Sequence, residues 1–569
     1  MRGVTRTVVM SAALNSPQRR RALEEMENRT FDVVVVGGGV TGTGVALDAA
    51  TRGLQVALVE QRDYASGTSS RSSKLFHGGL RYLQRLQVSL VAEALAERNL
   101  MLTTVCPHLA RPVSFVYPLT HRLWQRWYVG AGVLLYDLFA QAAGSPLPRH
   151  RHLSRAQLST LAPALDPDRA FGAVRYWDAL VDDARHTLTV ARTAAAHGAR
   201  LASSARVVGL ELSTGPLRRV SILDLESGKR IEIATRAVVN ATGVWSDDLQ
   251  RLAGREGLRV TASKGIHLVV SADRIDSDTG IILRTETSVL FLIPWDGHWI
   301  VGTTDTPWSL RRAHPAASRS DVDYLLDQVN KVLTDPLGRE DVIGVYAGLR
   351  PLLHGESEET SKLSREHAVL DGGDGMVTIA GGKYTTYRVM AKDAVDALAP
   401  YLDRPLPESR THLVPLVGAL GLDRLTRPSQ LGEAQWSRLV GRYGALVSEL
   451  ADIILERPDL GTPLIDDAPY LRAEVVYAAT HEGALHLDDV LTRRTRISIE
   501  TRHRGLQAVE ETIRLMGDAL GWSETTRDRE MEHYRARVAA EIDSQRQPDD
   551  RTADAARMGA PDVRTGVAE

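Results

Sequence analysis

Between Asp63 and Glu93 the chain carries no acidic residue, yet residues 69–84, SSRSSKLFHGGLRYLQ, hold Arg71, Lys74, His77 and Arg81 around the pair Gly78-Gly79. Uncompensated cations beside glycines describe either a cradle for an anion or a solvated basic loop. An imidazole that titrates near neutrality adds the means to move a proton. Other turns carry the same signature: SKGIH with Lys264 and His267, VYAGLRPLL with Arg350 before Pro351, KLSREHAVL with Arg365, and AGGKYTTYR with Lys383. Arginine forks joined by a lysine point charge suit a dianionic phosphate monoester.

Such groups need a frame, and FDVVVVGGGVTGTGVALDAATRGLQVALVEQRD (31–63) supplies one. Val33 to Val36 read as a strand covered on both faces. Gly37-x-Gly39-x-x-Gly42 follows, then a helical segment from Val40 to Thr51 ended by Gly53, then a strand from Gln55 to Val59 closed by Glu60. Gly37 permits the tight turn, Gly39 admits a pyrophosphate to the backbone, and Gly42 lets helix and strand pack. Glu60 accepts ribose hydroxyls. The unit reads as a dinucleotide site. Further along, IATRAVVNATGVWSDDL (233–249) runs a strand into Ala241-Thr242-Gly243. MVTIAGGKYTTYRVMAKDAV (376–395) runs a strand into Gly381-Gly382 and a helix from near Thr385. Two distant glycine-to-helix turns fit FAD better than NAD: one holds the pyrophosphate, and the other faces the ring edge where charge develops on reduction.

The rest of the chain bounds these readings. Lys plus Arg (69) and Asp plus Glu (71) nearly cancel across 569 residues, so no whole-chain field points to nucleic acid. Cys106 is the single cysteine, which excludes an internal disulfide and a cysteine-ligated metal; no metal is expected. Residues 1–30 form an N-terminal extension too broken by Asn15, Ser16 and Pro17 for a secretory signal. No window of about 18 apolar residues is available to span a membrane. Leu83 to Leu102 has helical spacing. In 111–152, Trp124, Arg126, Trp127 and Tyr128 precede an apolar run from Val129 to Phe139. This segment reads as an interfacial helix, or as a buried helix whose arginines reach water. Asp182 or Asp183 caps a helix ended by Gly198, and Asp296-Gly297 marks a hairpin within short strands over 261–310.

The expected fold is α/β. A Rossmann-like FAD-binding domain spans 31–404, with an inserted antiparallel-sheet substrate domain over about 108–180 and 260–340. An all-α C-terminal domain follows over 405–543, entered through a Pro405–Pro415 linker, and the tail 544–569 reads as disordered.

SSKLFHGGLRYL, VDDAR, NATGVW, KGIH, IPWDGHWIVGTTDT, YAGLRPL and GGKYTTYR, in this order, resemble the FAD-dependent glycerol-3-phosphate dehydrogenases, and EGALHLDDVLTRRTRI (482–497) resembles that family's C-terminal domain. The resemblance covers roughly 30–530. It implies oxidation of sn-glycerol 3-phosphate to dihydroxyacetone phosphate by hydride transfer to FAD. It further implies electrons passed to quinone, and a cytoplasmic protein peripheral to the inner face of the membrane; a homodimer is allowed. It places Arg350 by the reacting oxygen, and Arg81, Tyr82, Lys264, Arg365 and Lys383 at the substrate. Cofactor contacts are implied at Thr68, Ser69, Ser70, Lys74, Gly78, Val207, Gly243, Trp245, Asp305, Gly382, Lys383 and Thr385. His77 is the candidate base and His267 the runner-up. Rival readings are an oxidase that uses oxygen, an NAD-dependent dehydrogenase, and a flavin-bearing scaffold without turnover.

Overall fold

The computed structural model describes residues 12–80, 87–121, 124–212, 215–255, 260–285, 289–353, 367–560 and 562–564. Its first layer is a sheet in the order His367–Asp371, Met376–Gly381, Arg230–Asn240, Thr30–Val36, Val56–Val59, Arg200–Ala202. The last five strands run parallel and His367–Asp371 closes one edge antiparallel. Phe31 to Val36 are all buried, as a strand covered on both faces must be. The helix Val40–Thr51 starts where expected. A Cβ at Gly42 would lie 2.0 Å from the Gly37 carbonyl oxygen, so helix and turn meet at a distance only glycine allows.

The N-terminal extension joins this layer. Helix Ser16–Asn28 is capped by the Asn15 side chain, which accepts the Gln18 N–H at 2.9 Å. It buries Leu23 and Met26 in the sheet's core, and Arg19 pairs with Asp224.

The second sheet runs Thr306–Trp308, Val260–Ser271, His298–Gly302, Val289–Trp295, Gly280–Arg284, Arg111–Pro118, Gly172–Leu180, Leu75–Phe76. Val342–Leu353 adds alongside Val260–Ser271, and Arg151–Ser154 alongside Gly172–Leu180. The inserted domain therefore reaches Leu353, beyond the expected limit near 340. Asp296-Gly297 makes the two-residue hairpin, both residues at positive φ and Trp295 opposite His298. Asp182 caps helix Asp183–Ala196.

Helices from Glu433 onward enclose a separate core that includes Leu439, Val475, Leu487, Ile513 and Tyr534. This part is not all-α: Pro463–Ile465 and Ala468–Leu471 form a small hairpin. Arginines of the TRRTRI stretch dock it to the first domain. Arg494 grips Asp63 with two bonds of 2.7 Å, and Arg496 reaches Asp182 at 2.6 Å.

The tail departs from expectation. Helix Glu524–Ser544 is followed by a second helix, Asp550–Arg557, and Arg564 is buried against Asp489 at 2.9 Å and the Ser204 hydroxyl at 2.9 Å. A polar composition without periodicity suggested disorder, but these charges find partners on remote elements, so residues 545–560 and 562–564 fold onto the body.

His486 forms another tie between the domains. Its Nδ1 meets Glu530 and its Nε2 meets Glu226, each at 2.9 Å. Burial and Arg564 push its pKa down, yet the two carboxylates raise it to about 9. The folded value exceeds the unfolded one of about 6.5. The pair's stability is therefore complete below about pH 6.5 and is lost as pH climbs toward 9. The shift corresponds to roughly 3 kcal/mol. The urea midpoint should fall between pH 6.5 and 9.5, and His486→Gln should flatten that slope. An equal slope in the variant would remove His486 as its cause.

Candidate active site

A cavity of about 1320 Å³ lies between the two sheets, lined by turns that are far apart in sequence. One end is built by the first glycine turn. Gly37 sits at φ +113°, where a Cβ would lie 2.6 Å from the Ala241 carbonyl oxygen. Gly39 precedes the helix N-terminus, and Ser69 Oγ accepts the Val40 N–H at 2.9 Å. Glu60 closes its strand with Oε2 accepting the Gly38 N–H at 2.6 Å and Oε1 accepting the Arg62 N–H at 2.8 Å. Burial raises its pKa against those two bonds. Val207, Gly243 and Trp245 complete this wall, and Thr68 lines it while donating to the Leu349 carbonyl at 2.6 Å.

The other end is built by the second glycine turn. Gly381 and Gly382 both adopt positive φ, and a Cβ at Gly382 would strike Met390 Sδ at 2.5 Å. Lys383 and Thr385 line the cavity here. Thr385 Oγ1 accepts the His77 N–H at 3.1 Å and donates to the His77 carbonyl at 3.3 Å, tying together turns 308 residues apart. The His77 side chain lines the same space.

Opposite, two neighbouring strands supply His267 and Arg350. Along Val260–Ser271 side chains alternate between faces. Gly265 and His267 line the cavity, while Lys264 lies on the reverse face. Arg350 donates to Thr303 Oγ1 at 2.9 Å and to the Thr304 carbonyl at 3.1 Å, with Asp305 at 3.4 Å. A Cβ at residue 265 would lie 2.5 Å from Arg350 Nη2, so the glycine makes room for the guanidinium. His267 stacks on Tyr346 with ring centres 4.8 Å apart, and its Nε2 meets Ser73 Oγ at 2.9 Å. Burial, then Arg350 and Lys74, hold its pKa well below the usual value, so the imidazole is neutral at pH 7.

Several expected site residues lie elsewhere. Lys264 is fully buried and bonded to Asp321 at 2.6 Å and to Asp550 of the tail. Its charge is neutralised behind the strand, so it is not turned toward substrate. Lys74 is likewise buried, 2.8 Å from Asp183 beneath the cavity floor. Ser70, Gly42 and Gly78 do not line the cavity; Gly78 donates its N–H to the Tyr136 hydroxyl at 2.8 Å. Arg81, Tyr82 and Arg365 lie outside the described residues. Reading single motifs missed Ser73, Thr303 and Tyr346, whose roles come from strand partners. Among the described residues no cluster could hold a metal ion, and Cys106 is a buried thiol whose pKa burial raises.

Two glycine turns facing one cavity, with the half-buried Glu60 carboxylate by the first and His77 and Lys383 by the second, fit an extended flavin dinucleotide. Residues 32–388 match the family described as FAD dependent oxidoreductase, and residues 409–527 match the C-terminal domain of alpha-glycerophosphate oxidase. Fold and site thus define an FAD-dependent oxidoreductase. The chain is 51% identical over 567 residues to glycerol-3-phosphate dehydrogenase 2 of Mycobacterium tuberculosis, covering 98% of this chain and 97% of that one. It is 36% identical to the mitochondrial glycerol-3-phosphate dehydrogenase of Mus musculus, over 91% of this chain and 74% of that one. The crystal structure of the glycerol-3-phosphate dehydrogenase from Bacillus halodurans complexed with FAD aligns with a TM-score of 0.74 at 28% identity, covering 93% and 97%. This chain belongs to the FAD-dependent glycerol-3-phosphate dehydrogenase family.

Proposed function

We propose that the chain oxidises the secondary hydroxyl of sn-glycerol 3-phosphate to the ketone of dihydroxyacetone phosphate and delivers the electrons to a membrane quinone. The observation that carries this reading is the meeting of His77, His267, Arg350 and Lys383 on the wall of the cavity that also holds the dinucleotide cradle. Bound FAD supplies the hydride acceptor. His77 takes the hydroxyl proton as the carbon-bound hydrogen leaves with its electron pair, so the C–O bond gains its second bond. Arg350 stabilises negative charge on that oxygen from a position fixed by Thr303 and the Thr304 carbonyl. Neutral His267, held by Ser73 and stacked on Tyr346, adds no competing charge to the cavity wall, while Lys383 attracts the phosphate end. Anaerobic stopped-flow reduction tests the reading. Glycerol 3-phosphate should bleach the flavin much faster than glycerol does, and equal reactivity would remove the phosphate argument. Stoichiometric peroxide during turnover would select oxygen as acceptor instead of quinone.

Helix Trp124–Ala142 supports a peripheral membrane location. Its inner face is buried, whereas Trp124 (58%), Trp127 (79%) and Leu138 (57%) are exposed, with Tyr128 and Leu134 on the same outward stripe. Exposed tryptophan and tyrosine beside leucine at helical spacing suit a bilayer interface. No helix among the described residues is long and apolar enough to cross one. Replacing Trp127, Leu134 and Leu138 with glutamine should lower co-sedimentation with lipid vesicles by about tenfold or more, given roughly 1.5 to 3 kcal/mol per large apolar side chain. Flavin reduction in solution should not change. Undiminished vesicle binding would discard this face as the contact.

A further inference from the structure

Helix Asp550–Arg557 is two turns long and lies between solvent and the cavity. Arg551, Thr552 and Ala555 are exposed, whereas Ala553 is buried and Asp554 lines the cavity beside the loop Ser309 to Arg312. Few ties hold it. At its first turn Asp550 pairs with Lys264, the buried ammonium that Asp321 also holds at 2.6 Å on the reverse of strand Val260–Ser271. In its middle Ala553 places one methyl in a small core with Val244, Trp308 and Leu349. Asp554 lies 3.6 Å from Arg311, and the neighbouring Arg312 donates to the Val244 carbonyl at 2.6 Å. An eight-residue helix is not stable in water by itself, so its order depends on this docking, to which one methyl adds little. The Asp550 side chain is 33% exposed, so water already reaches the main polar tie. Other parts of the wall differ. Val36, Val59 and Leu349 line the cavity from strands paired within the two sheets, and moving them would break those sheets.

We propose that helix Asp550–Arg557 is a gate for the cofactor: it swings out when the Asp550–Lys264 pair breaks, and FAD enters and leaves the cavity past it. The hinge is the segment 545–549. Helix Glu524–Ser544 ends there, Pro548 interrupts the backbone donors, and Asp549 starts the second helix afresh by accepting the Thr552 N–H at 2.9 Å. Lys264 keeps Asp321 when the gate is open, so no buried cation is left without a carboxylate. The gate rests on the FAD cavity and is independent of which alcohol the flavin oxidises. Opening precedes both entry and exit, so both rates scale with the open fraction while the affinity stays the same. A fixed wall behaves differently, because weakening it speeds exit alone.

The experiment compares full-length wild type, Asp550→Ala and Ala553→Glu. Stopped-flow fluorescence follows FAD uptake by the apoprotein, and dilution of the holoenzyme follows FAD release. In Asp550→Ala both rates should rise about tenfold, the weight of one charge-assisted bond, with the Kd for FAD within about twofold of wild type. Ala553→Glu forces a carboxylate against Trp308 and Leu349 and should raise both rates further. Reduction of the FAD-saturated variants by glycerol 3-phosphate should keep the wild-type rate. Hydrogen exchange separates the gate from a general loosening of the fold. Amides of Asp550–Arg557 should exchange about tenfold faster in Asp550→Ala, while those of helix Val40–Thr51 keep the wild-type rate. A faster release with wild-type uptake, and hence a weaker Kd, would make the helix a fixed wall and overturn the gate. Wild-type values of both rates in Asp550→Ala would overturn it as well, whether or not Ala553→Glu folds.

Discussion

Arg350→Lys is expected to lower kcat/KM for glycerol 3-phosphate by about 10²- to 10³-fold, the range found when one donor to a developing oxyanion is removed. The reason is geometric. One guanidinium donates to Thr303 Oγ1 and the Thr304 carbonyl while still facing the cavity. A lysine keeps the charge but offers one ammonium, which cannot hold those anchors and a substrate oxygen together. The loss should fall on kcat as well as KM, because the interaction strengthens as charge develops. Gly265→Ala should act in the same direction, since the added methyl occupies the space of Nη2. Steady-state kinetics with quinone analogues provide the check; wild-type kcat in Arg350→Lys would displace this arginine from the reacting oxygen.

His77→Asn is expected to slow flavin reduction by about two to four orders of magnitude, the usual contribution of a positioned general base. Thr385 clips the His77 backbone from both sides, and Gly78 is held by the Tyr136 hydroxyl, so asparagine should enter without moving the turn. The acidic limb of the rate against pH should vanish in this variant. His267→Asn should cost less. Burial and the nearby Arg350 and Lys74 make His267 a weak proton acceptor, and its stacking on Tyr346 suits orientation. The reverse ranking would transfer the proton to His267.

What could be read in advance was whatever depends on neighbours in sequence. The strand–turn–helix at 33–51, the Asp182 cap and the Asp296-Gly297 hairpin are settled by residues within a few positions of each other. The convergence of His77, Arg350 and Lys383 was legible only because the motifs occur in one family's order. Lys264 and Lys74 resisted prediction because their fate depends on Asp321, Asp550 and Asp183, carboxylates up to 286 residues away. Strand alternation hints at the first case, since Lys264 and His267 sit three positions apart and so on opposite faces. The tail was misread for a similar reason: its arginines and aspartates mimic a solvated segment until Asp489, Ser204 and Lys264 are seen facing them. On helix Trp124–Ala142 the buried-helix reading holds for one face alone, since Trp124, Trp127, Tyr128, Leu134 and Leu138 are exposed on the other.

Gly37 and Asp554 border the same cavity although 517 positions separate them. Contacts of such separation form late in folding, after loop closure has been achieved across whole domains. A growing chain on the ribosome therefore displays its glycine turn long before the opposite wall exists. Nucleotide captured early would be only half enclosed, and its secure retention would have to await release of nearly the entire polypeptide.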